Sequence, residues 1–480
     1  MGFRISLQRS HSRTLGQESK SYEEDFVERL SRSLNEPIWL KEFRLESLDQ
    51  FRILPEEKSN LYTKHALNLG LEFKSVANME SVVADPSAPE IGEIAMGIES
   101  GQYYVSTQTE TIASKNVRDL ESKGVIFCDY HEALEKHEAI LKKIFSDKAI
   151  KPFDDKYAAL NSSLFSGAWL LYVPKNVRLN DPLRIRFFLN SRKPHFNQTW
   201  VYAEPNSEVS LVTESYGADI PSLASDIVEA YVKDSSTISY SNIQDYSQQT
   251  TVLTNSKAIC ERDAQIRWTL GYFGGKIHRS RSESIFAKDG AGAEDVEVVL
   301  GNNSQRFDLV SDLSHVGKHT RGRILSNNVL MDKSDSVFKG MIRIGKEAKN
   351  SSAYLAGHAI LLSPDARSDA IPGLEILTND VKATHSASVS QIDEEQIFYM
   401  MSRGLSEDES KKFIVLGFLE PAISRINSEE LRDTMRDLVE AKWYREKGLI
   451  KRKKKEVLFE EENKDQHVTR DIFEGHYKYR

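Results

Sequence analysis

Two cysteines, Cys128 and Cys260, are all the thiols in a chain of 480 residues. Two thiols so far apart exclude a disulfide framework, and a reducing compartment suits them better. They also cannot ligate a cluster that needs four thiolates, so any cluster must use mixed ligands, be shared with a second chain, or be absent. No apolar run approaches the roughly 20 residues that cross a bilayer. Residues 1–20 are polar and Ser/Arg-rich and lack the apolar stretch of a secretory signal. The expectation is therefore a cytoplasmic protein with no membrane partner. A net charge of −8 gives no global reason to bind nucleic acid. The motifs of common chemistries are missing too: there is no GxxxxGK[ST], no GxGxxG after a strand, no HExxH, no GxSxG and no CxxC. Gly274-Gly275-Lys276 reads as a turn, not a phosphate cradle. Nothing here marks a stand-alone enzyme.

What is present is ordinary for a globular protein: 39% hydrophobic and 28% charged residues, enough for one large core and smaller units. The pattern changes twice along the chain. After a flexible stretch at 1–20, residues 21–155 read as a helical domain. Phe26, Leu30 and Leu34 make one helix face, Pro37 interrupts it, and a second helical pattern runs from His131 to about Phe145 through Leu134, Leu141 and Ile144. Residues 79–101 are Gly/Pro/Ser-rich and read as a loop.

From 156 to 385 the period drops to two. Ile266, Trp268, Leu270 and Tyr272 alternate with Arg267, Thr269 and Gly271; Phe338, Gly340, Ile342 and Ile344 alternate with Lys339, Met341 and Arg343. Turn-forming clusters lie between such runs: Lys288-Asp289-Gly290, Gly301-Asn302-Asn303-Ser304, Ser326-Asn327-Asn328 and Ser363-Pro364-Asp365. Phe307, Ile324, Ile342, Ile360 and Ile376 follow one another at 17, 18, 18 and 16 residues. Short strands at a regular step suit a β-solenoid, whose coils bury their apolar faces only by stacking; a β-sandwich accommodates the same spacing.

Residues 386–450 are helical again, with clear punctuation. Asp393 and Gln396 form a cap pair ahead of Ile397, Phe398 and Met401, and Gly404 is a C-terminal stop. Ser406 with Glu409 is a capping box that opens a helix through Phe413, Ile414 and Phe418, bounded by Pro421. A third helix follows Asn427, with Leu431, Met435, Leu438 and Trp443 on one face. The tail, 451–480, alternates basic and acidic blocks and reads as solvated.

Several segments resemble the SufB/SufD family of iron–sulfur cluster assembly proteins. They are Glu36-Pro37-Ile38-Trp39-Leu40-Lys41-Glu42-Phe43-Arg44; Leu164-Phe165-Ser166-Gly167-Ala168-Trp169 with Tyr172-Val173-Pro174-Lys175-Asn176-Val177; and the stretch from Val381-Lys382-Ala383-Thr384-His385 through Ile392-Asp393-Glu394-Glu395-Gln396 to Gly417-Phe418-Leu419-Glu420-Pro421. The resemblance spans roughly residues 22–447. It implies a mainly β chain with flanking α: a right-handed parallel β-helix core between N-terminal and C-terminal helical domains. It also implies a scaffold subunit that pairs with a SufB-type subunit or with itself as a homodimer, docks the SufC-type ATPase through its C-terminal helices, and receives sulfur from a donor protein. No cofactor is expected to be tightly bound; iron or an iron–sulfur cluster would be held transiently at a subunit interface.

By the same resemblance, a B-type scaffold carries a cysteine where this chain reads Leu355-Ala356-Gly357-His358-Ala359, and a Glu where it reads Ser386, after His385. The cysteine of a D-type Cys-x-His-Gly motif is replaced by Ala383, while His385 remains. These departures favour a D-type subunit over a B-type one. The candidate residues for cluster assembly are His385, Cys260 and His358, with His385 the candidate metal ligand, shared with a partner chain. Cys260 near Arg262 could be an activated thiolate, or an inert buried thiol like most free cysteines. His385 could equally be a hydrogen-bonded histidine at a domain junction. Phe413, Phe418 and Leu419 are the candidate ATPase-docking residues, on helices whose apolar faces also serve their own packing. Cys128 reads as core, and His315 and His319 as exposed loop histidines. The competing readings are a B-type scaffold holding the nascent cluster, an adaptor without metal chemistry, and an acidic-polysaccharide enzyme on a β-helix. The last lacks a visible carboxylate pair at a repeat spacing.

Overall fold

The computed structural model of the chain describes residues 21–59, 62–77, 102–108, 111–115, 117–426 and 428–444. The expected loop at 79–101, the N-terminal stretch 1–20 and the charged tail 451–480 lie outside the described residues. The helices before the β core are α1 (Tyr22–Ser33), α2 (Ile38–Ile53), α3 (Phe73–Ala77), α4 (Tyr130–Lys136), α5 (Glu138–Ser146) and α6 (Lys156–Leu164). Pro37 is not what ends α1, which stops at Ser33 with Asn35 in the left-handed region (φ +54°). The proline is instead the N-cap of α2, where its missing N–H costs nothing. The pattern from His131 to Phe145 is two helices, broken at His137, whose φ of −128° is not helical.

Strands β1 (Gln102–Thr107), β2 (Thr111–Lys115) and β3 (Ile126–Asp129) precede sixteen strands that make eight coils. In order these are β4 (Gly167–Val173), β5 (Leu183–Leu189), β6 (His195–Ala203), β7 (Glu208–Gly217), β8 (Ser222–Val232), β9 (Thr237–Asp245), β10 (Thr250–Cys260), β11 (Gln265–Tyr272), β12 (Ile277–Phe286), β13 (Gly292–Gly301), β14 (Arg306–His315), β15 (Arg321–Leu330), β16 (Asp335–Ile344), β17 (Ser351–Leu361), β18 (Arg367–Ile376) and β19 (Val381–Gln391). Even-numbered strands pair in parallel in a nine-stranded sheet that β3 ends. Odd-numbered strands do the same in a ten-stranded sheet that β1 and β2 extend. This is a parallel β-solenoid, as expected, and not a sandwich. The 16-to-18-residue step was half a coil. Phe307, Ile324, Ile342, Ile360 and Ile376 fall on β14 to β18 in turn and so alternate between sheets. They do not stack: Phe307 registers with Ser336, and Ile342 with Leu313.

The coil itself is written at the corners. Asn176, Asn206, Ser235, Asp263, Gly290, His319 and Asn350 all have φ between +51° and +75° and recur every 27 to 31 residues. Asn, Asp and Gly enter this left-handed region most cheaply. Each donates its backbone N–H to a carbonyl of the next coil, as Ser235 does to Arg262 (2.7 Å) and His319 to Lys349 (2.9 Å). The corner residues thus form a hydrogen-bonded column that holds the coils in step.

Inward-facing residues such as Leu211, Tyr240, Trp268, Phe286, Leu309, Ile324 and Phe338 form the core inside the solenoid. The N-terminal helices cover the outer face of the nine-stranded sheet, where Leu40, Phe51, Leu141 and Leu160 pack with Trp200, Tyr202 and Tyr231. The C-terminal helices α7 (Glu394–Ser402), α8 (Glu407–Ile423) and α9 (Glu429–Trp443) follow, and α8 lies across β13 and β15 of the other sheet. Gly271 is there for α9: a Cβ would meet the Met435 side chain at 2.8 Å. Two expectations are corrected here. Ser326-Asn327-Asn328 is not a turn but the buried middle of β15, where Asn327 donates to the Phe418 carbonyl at 2.8 Å and joins strand to helix. Pro421 lies inside α8 and does not bound it; the carbonyl it cannot bond belongs to the exposed Gly417, and the helix runs on to Ile423.

Candidate functional site

The last coil is the least covered part of the solenoid. Leu355 of β17 is sealed inside, but its register partner on β19 is His385, which faces the same interior, has no further coil above it among the described residues, and is exposed. Ala383 and Val389 point the same way, and Val389 is 42% exposed. His358 lies on the adjacent strand but on the opposite, outer face, and its Nδ1 hydrogen-bonds Ser388 at 2.7 Å. Burial lowers its pKa. His385 and His358 therefore lie on adjacent strands but on opposite faces of the sheet.

Cys260 is elsewhere. It ends β10, four coils before β18 in the same sheet, between Val232 and Phe286. At about 4.8 Å per coil this puts it on the order of 20 Å from the open end. It is fully buried, and burial, reinforced by the Asp295 carboxyl, pushes the thiol well above the usual range. Arg262 is exposed at the corner and does not activate it. Cys128 is core, as expected, in register with Leu170. His315 is not an exposed loop residue. It points inward from β14, with Nδ1 against the Thr320 hydroxyl at 2.8 Å. His319 is exposed and serves as a corner residue. Among the described residues no three His, Cys, Asp or Glu side chains converge as a metal site.

The capping signals place the C-terminal helices. Asp393 accepts from the amides of Glu395 and Gln396, and Ser406 with Glu409 forms a reciprocal capping box. Leu419 is buried against the solenoid, Phe418 is half-buried, and Phe413 is 50% exposed. With it, Phe398 (73%), Tyr399 (59%) and Met401 (44%) are exposed on α7. These four side chains line two shallow clefts, one with Gln396 and Ile414, the other with Leu361, Pro364 and Ile392 beside the last coil. Sequence reasoning missed Phe398 and Tyr399 as surface residues because a helix stripe does not say which face the solenoid takes. It also missed Lys442, half-buried at the end of α9, which donates to the Phe273 and Leu300 carbonyls and to Gln305 Oε1 (2.6 Å) and anchors the helix.

Residues 187–418 match the family model described as SUF system FeS cluster assembly, SufBD core domain, and residues 39–185 match the SufBD protein N-terminal region. The chain belongs to the SufB/SufD family. It is 29% identical over 424 residues to the iron–sulfur cluster assembly protein SufB of Bacillus subtilis, covering 84% of this chain and 90% of that one. A SufBD family protein of Staphylococcus saprophyticus is 28% identical over 425 residues, with 85% and 90% covered. One of Staphylococcus aureus is 29% identical over 424 residues, with the same coverage. The SufBD core model takes in β6 to β19 whole, with α7 and most of α8. The open coil with His385 and the exposed helix face thus both belong to the family's core region, and the protein is a SUF-system iron–sulfur cluster assembly protein. No helix among the described residues is long and apolar enough to cross a membrane.

Proposed function

We propose that this SufB/SufD protein is a non-catalytic, D-type scaffold subunit. In this reading it docks a SufC-type ATPase on α7 and α8 and pairs through its last coil with a SufB-type subunit or a second copy of itself. The observation that carries the reading is the exposed set Phe398, Tyr399, Met401 and Phe413. Four large apolar groups on neighbouring helices, beside an uncovered sheet end, suit a partner surface. The D-type assignment rests on Ala383 and Gly357, which leave the open coil without a thiol of its own. Iron or a nascent cluster would be cargo held between chains, with His385 contributing one imidazole and the partner the rest. Cys260 and His358 are weaker candidates: one is sealed in the solenoid, the other on the outer face.

Co-purification with the SufC-type ATPase tests the reading. The intact chain should hold the ATPase. Phe398→Ser combined with Phe413→Ser should weaken the complex at least tenfold at unchanged melting temperature, because neither side chain is buried. Point substitutions serve better than removing the helices, since Leu419, Leu431, Met435 and Val439 are buried and their loss would uncover the sheet. Failure of the intact chain to bind in either nucleotide state would sink the docking assignment.

A further inference from the structure

Strand β13 carries Asp295 and Glu297 two residues apart, so both side chains leave the same face. That face is the solenoid interior. Asp295 registers with Trp268 and Ile324, and Glu297 with Leu270 and Ser326; Trp268, Leu270 and Ile324 all belong to the inner core. The two residues are 0% and 1% exposed. Among the described residues both carboxyl oxygens of Asp295 and Oε2 of Glu297 have no hydrogen-bond partner. Glu297 Oε1 accepts from Ser311 on the facing sheet, and Ser326 stands beside Glu297 in register on β15. Among the described residues no cationic side chain acts on either group.

Such a pair cannot stay ionised and alone, because an unpaired carboxylate in a dry interior is too costly. Protons or a cation must neutralise it. Protons answer the charge but not the hydrogen bonding: a protonated Asp295 would carry an O–H with no acceptor. One divalent ion answers both, since two carboxylates cancel its charge and their three orphaned oxygens become ligands. Oxygen donors of this kind favour a hard ion over a thiophilic one.

We propose that Asp295 and Glu297, with the hydroxyls of Ser311 and Ser326, form a site for one hard divalent cation of the Mn2+, Mg2+ or ferrous class inside the solenoid. The site is made wholly by this chain and stands whether or not the docking assignment above is right. Polar side chains lead from it to the last coil: Ser326 bonds Asn328 (3.3 Å), Asn328 bonds Ser336 (3.4 Å), and Ser336 bonds Ser368 of β18 (3.1 Å), which is half-buried.

The test starts from full-length protein stripped with a chelator and titrated with Mn2+, following loss of the free-ion electron paramagnetic resonance signal, and in parallel with Fe2+ under anaerobic conditions. One equivalent should bind. Asp295→Asn with Glu297→Gln should weaken binding at least tenfold, and Glu297→Gln alone, the gentler change, should also weaken it. Bound Mn2+ should quench tryptophan fluorescence in the intact protein and quench it much less in Trp268→Phe, which locates the ion beside Asp295. In chelator the double variant should melt at or above the unsubstituted protein. Absence of stoichiometric binding of either ion overturns the proposal, as does equal binding by the double variant. So does a double variant that melts well below the parent in chelator, because the carboxyls would then be structural acids.

Discussion

The two ends of the solenoid are built from similar strands and meet different fates. At the N-terminal end β5 and β6 are buried along their whole length. At the C-terminal end β18 and β19 are half-buried at best, with β19 exposed at most positions. The strands do not differ enough in sequence to explain this. Val381-Lys382-Ala383-Thr384-His385 alternates much as Ile266-Arg267-Trp268-Thr269-Leu270 does. What differs is the company. The early coils have helices over one face and strands on both sides, β1 pairing with β5 and β3 with β4 to close the first coil, and ion pairs tie the helical cover to the strands: Lys148 with Glu229 (2.6 Å), Arg279 with Asp155 (2.6 Å), and Arg281 with Glu57 (3.0 Å). Among the described residues the last coil has a strand neighbour on one side only. A strand left this way is a template for pairing, so under the proposed function the contrast separates a surface made for folding from one made for association.

The covered end should break hardest. Lys148 and Glu229 are sealed, and Glu229 also accepts from the Ile150 amide at 2.6 Å. Lys148→Ala leaves that carboxylate buried without its cation and should cost about 3–5 kcal/mol in denaturant unfolding. Lys148→Met with Glu229→Gln removes both charges together and should recover most of the loss. Equal losses in the two variants would mean that the pair matters for shape and not for charge.

Much of this contrast could be read in the sequence, and the unreadable part has physical causes. The alternation around Trp268 and Phe338 gave true strands, because one face of each looks into a dry interior. The caps at Asp393 and Ser406 gave true helix starts, because capping is local chemistry. Ser326-Asn327-Asn328 misled for the opposite reason. Its composition favours a turn, but Asn327 is paid for by a helix 91 residues away, which no window sees. The coil length was present all along in the left-handed series from Asn176 to Asn350, hidden because seven corners use five residue types. At the candidate site, the exposed His385 and the sealed Cys260 are both ordinary residues in ordinary strands. Only the stacking order says that one is on the last coil and the other is deep inside.

Acid should sharpen the contrast by probing how dry the interior is. His195, His278 and His315 all face inward, and burial lowers their pKa to about 3, 3 and 4. The unfolded chain takes up protons on these imidazoles below about 6.5 and the folded chain does not, so stability is full above that pH and falls as the pH drops toward 4. Each histidine should contribute about 1.4 kcal/mol per pH unit in this window. His278, held between Gln244 (2.8 Å) and Thr254 (3.2 Å), is the best single probe. His278→Gln should flatten the pH dependence of the unfolding free energy by one histidine's share. An unchanged slope would mean that water reaches the middle coils.

The smallest effect on stability should come from the open end, and there it is the absence of an effect that informs. Val389 and Ile376 are 42% and 39% exposed, on β19 and β18. Ile376→Lys with Val389→Lys places two charges where a partner strand would lie, yet removes little buried contact within the chain. Unfolding should shift by no more than about 0.5 kcal/mol, as for surface substitutions elsewhere. If the last coil is a pairing surface, light scattering on a sizing column should find the parent chain as a dimer, or in complex with a SufB-type partner, and the variant as a monomer of the same stability. A stable dimer that survives both lysines would move the interface away from β18 and β19. The exposure of these strands would then need another cause, one that keeps an unpaired sheet edge from aggregating without covering it.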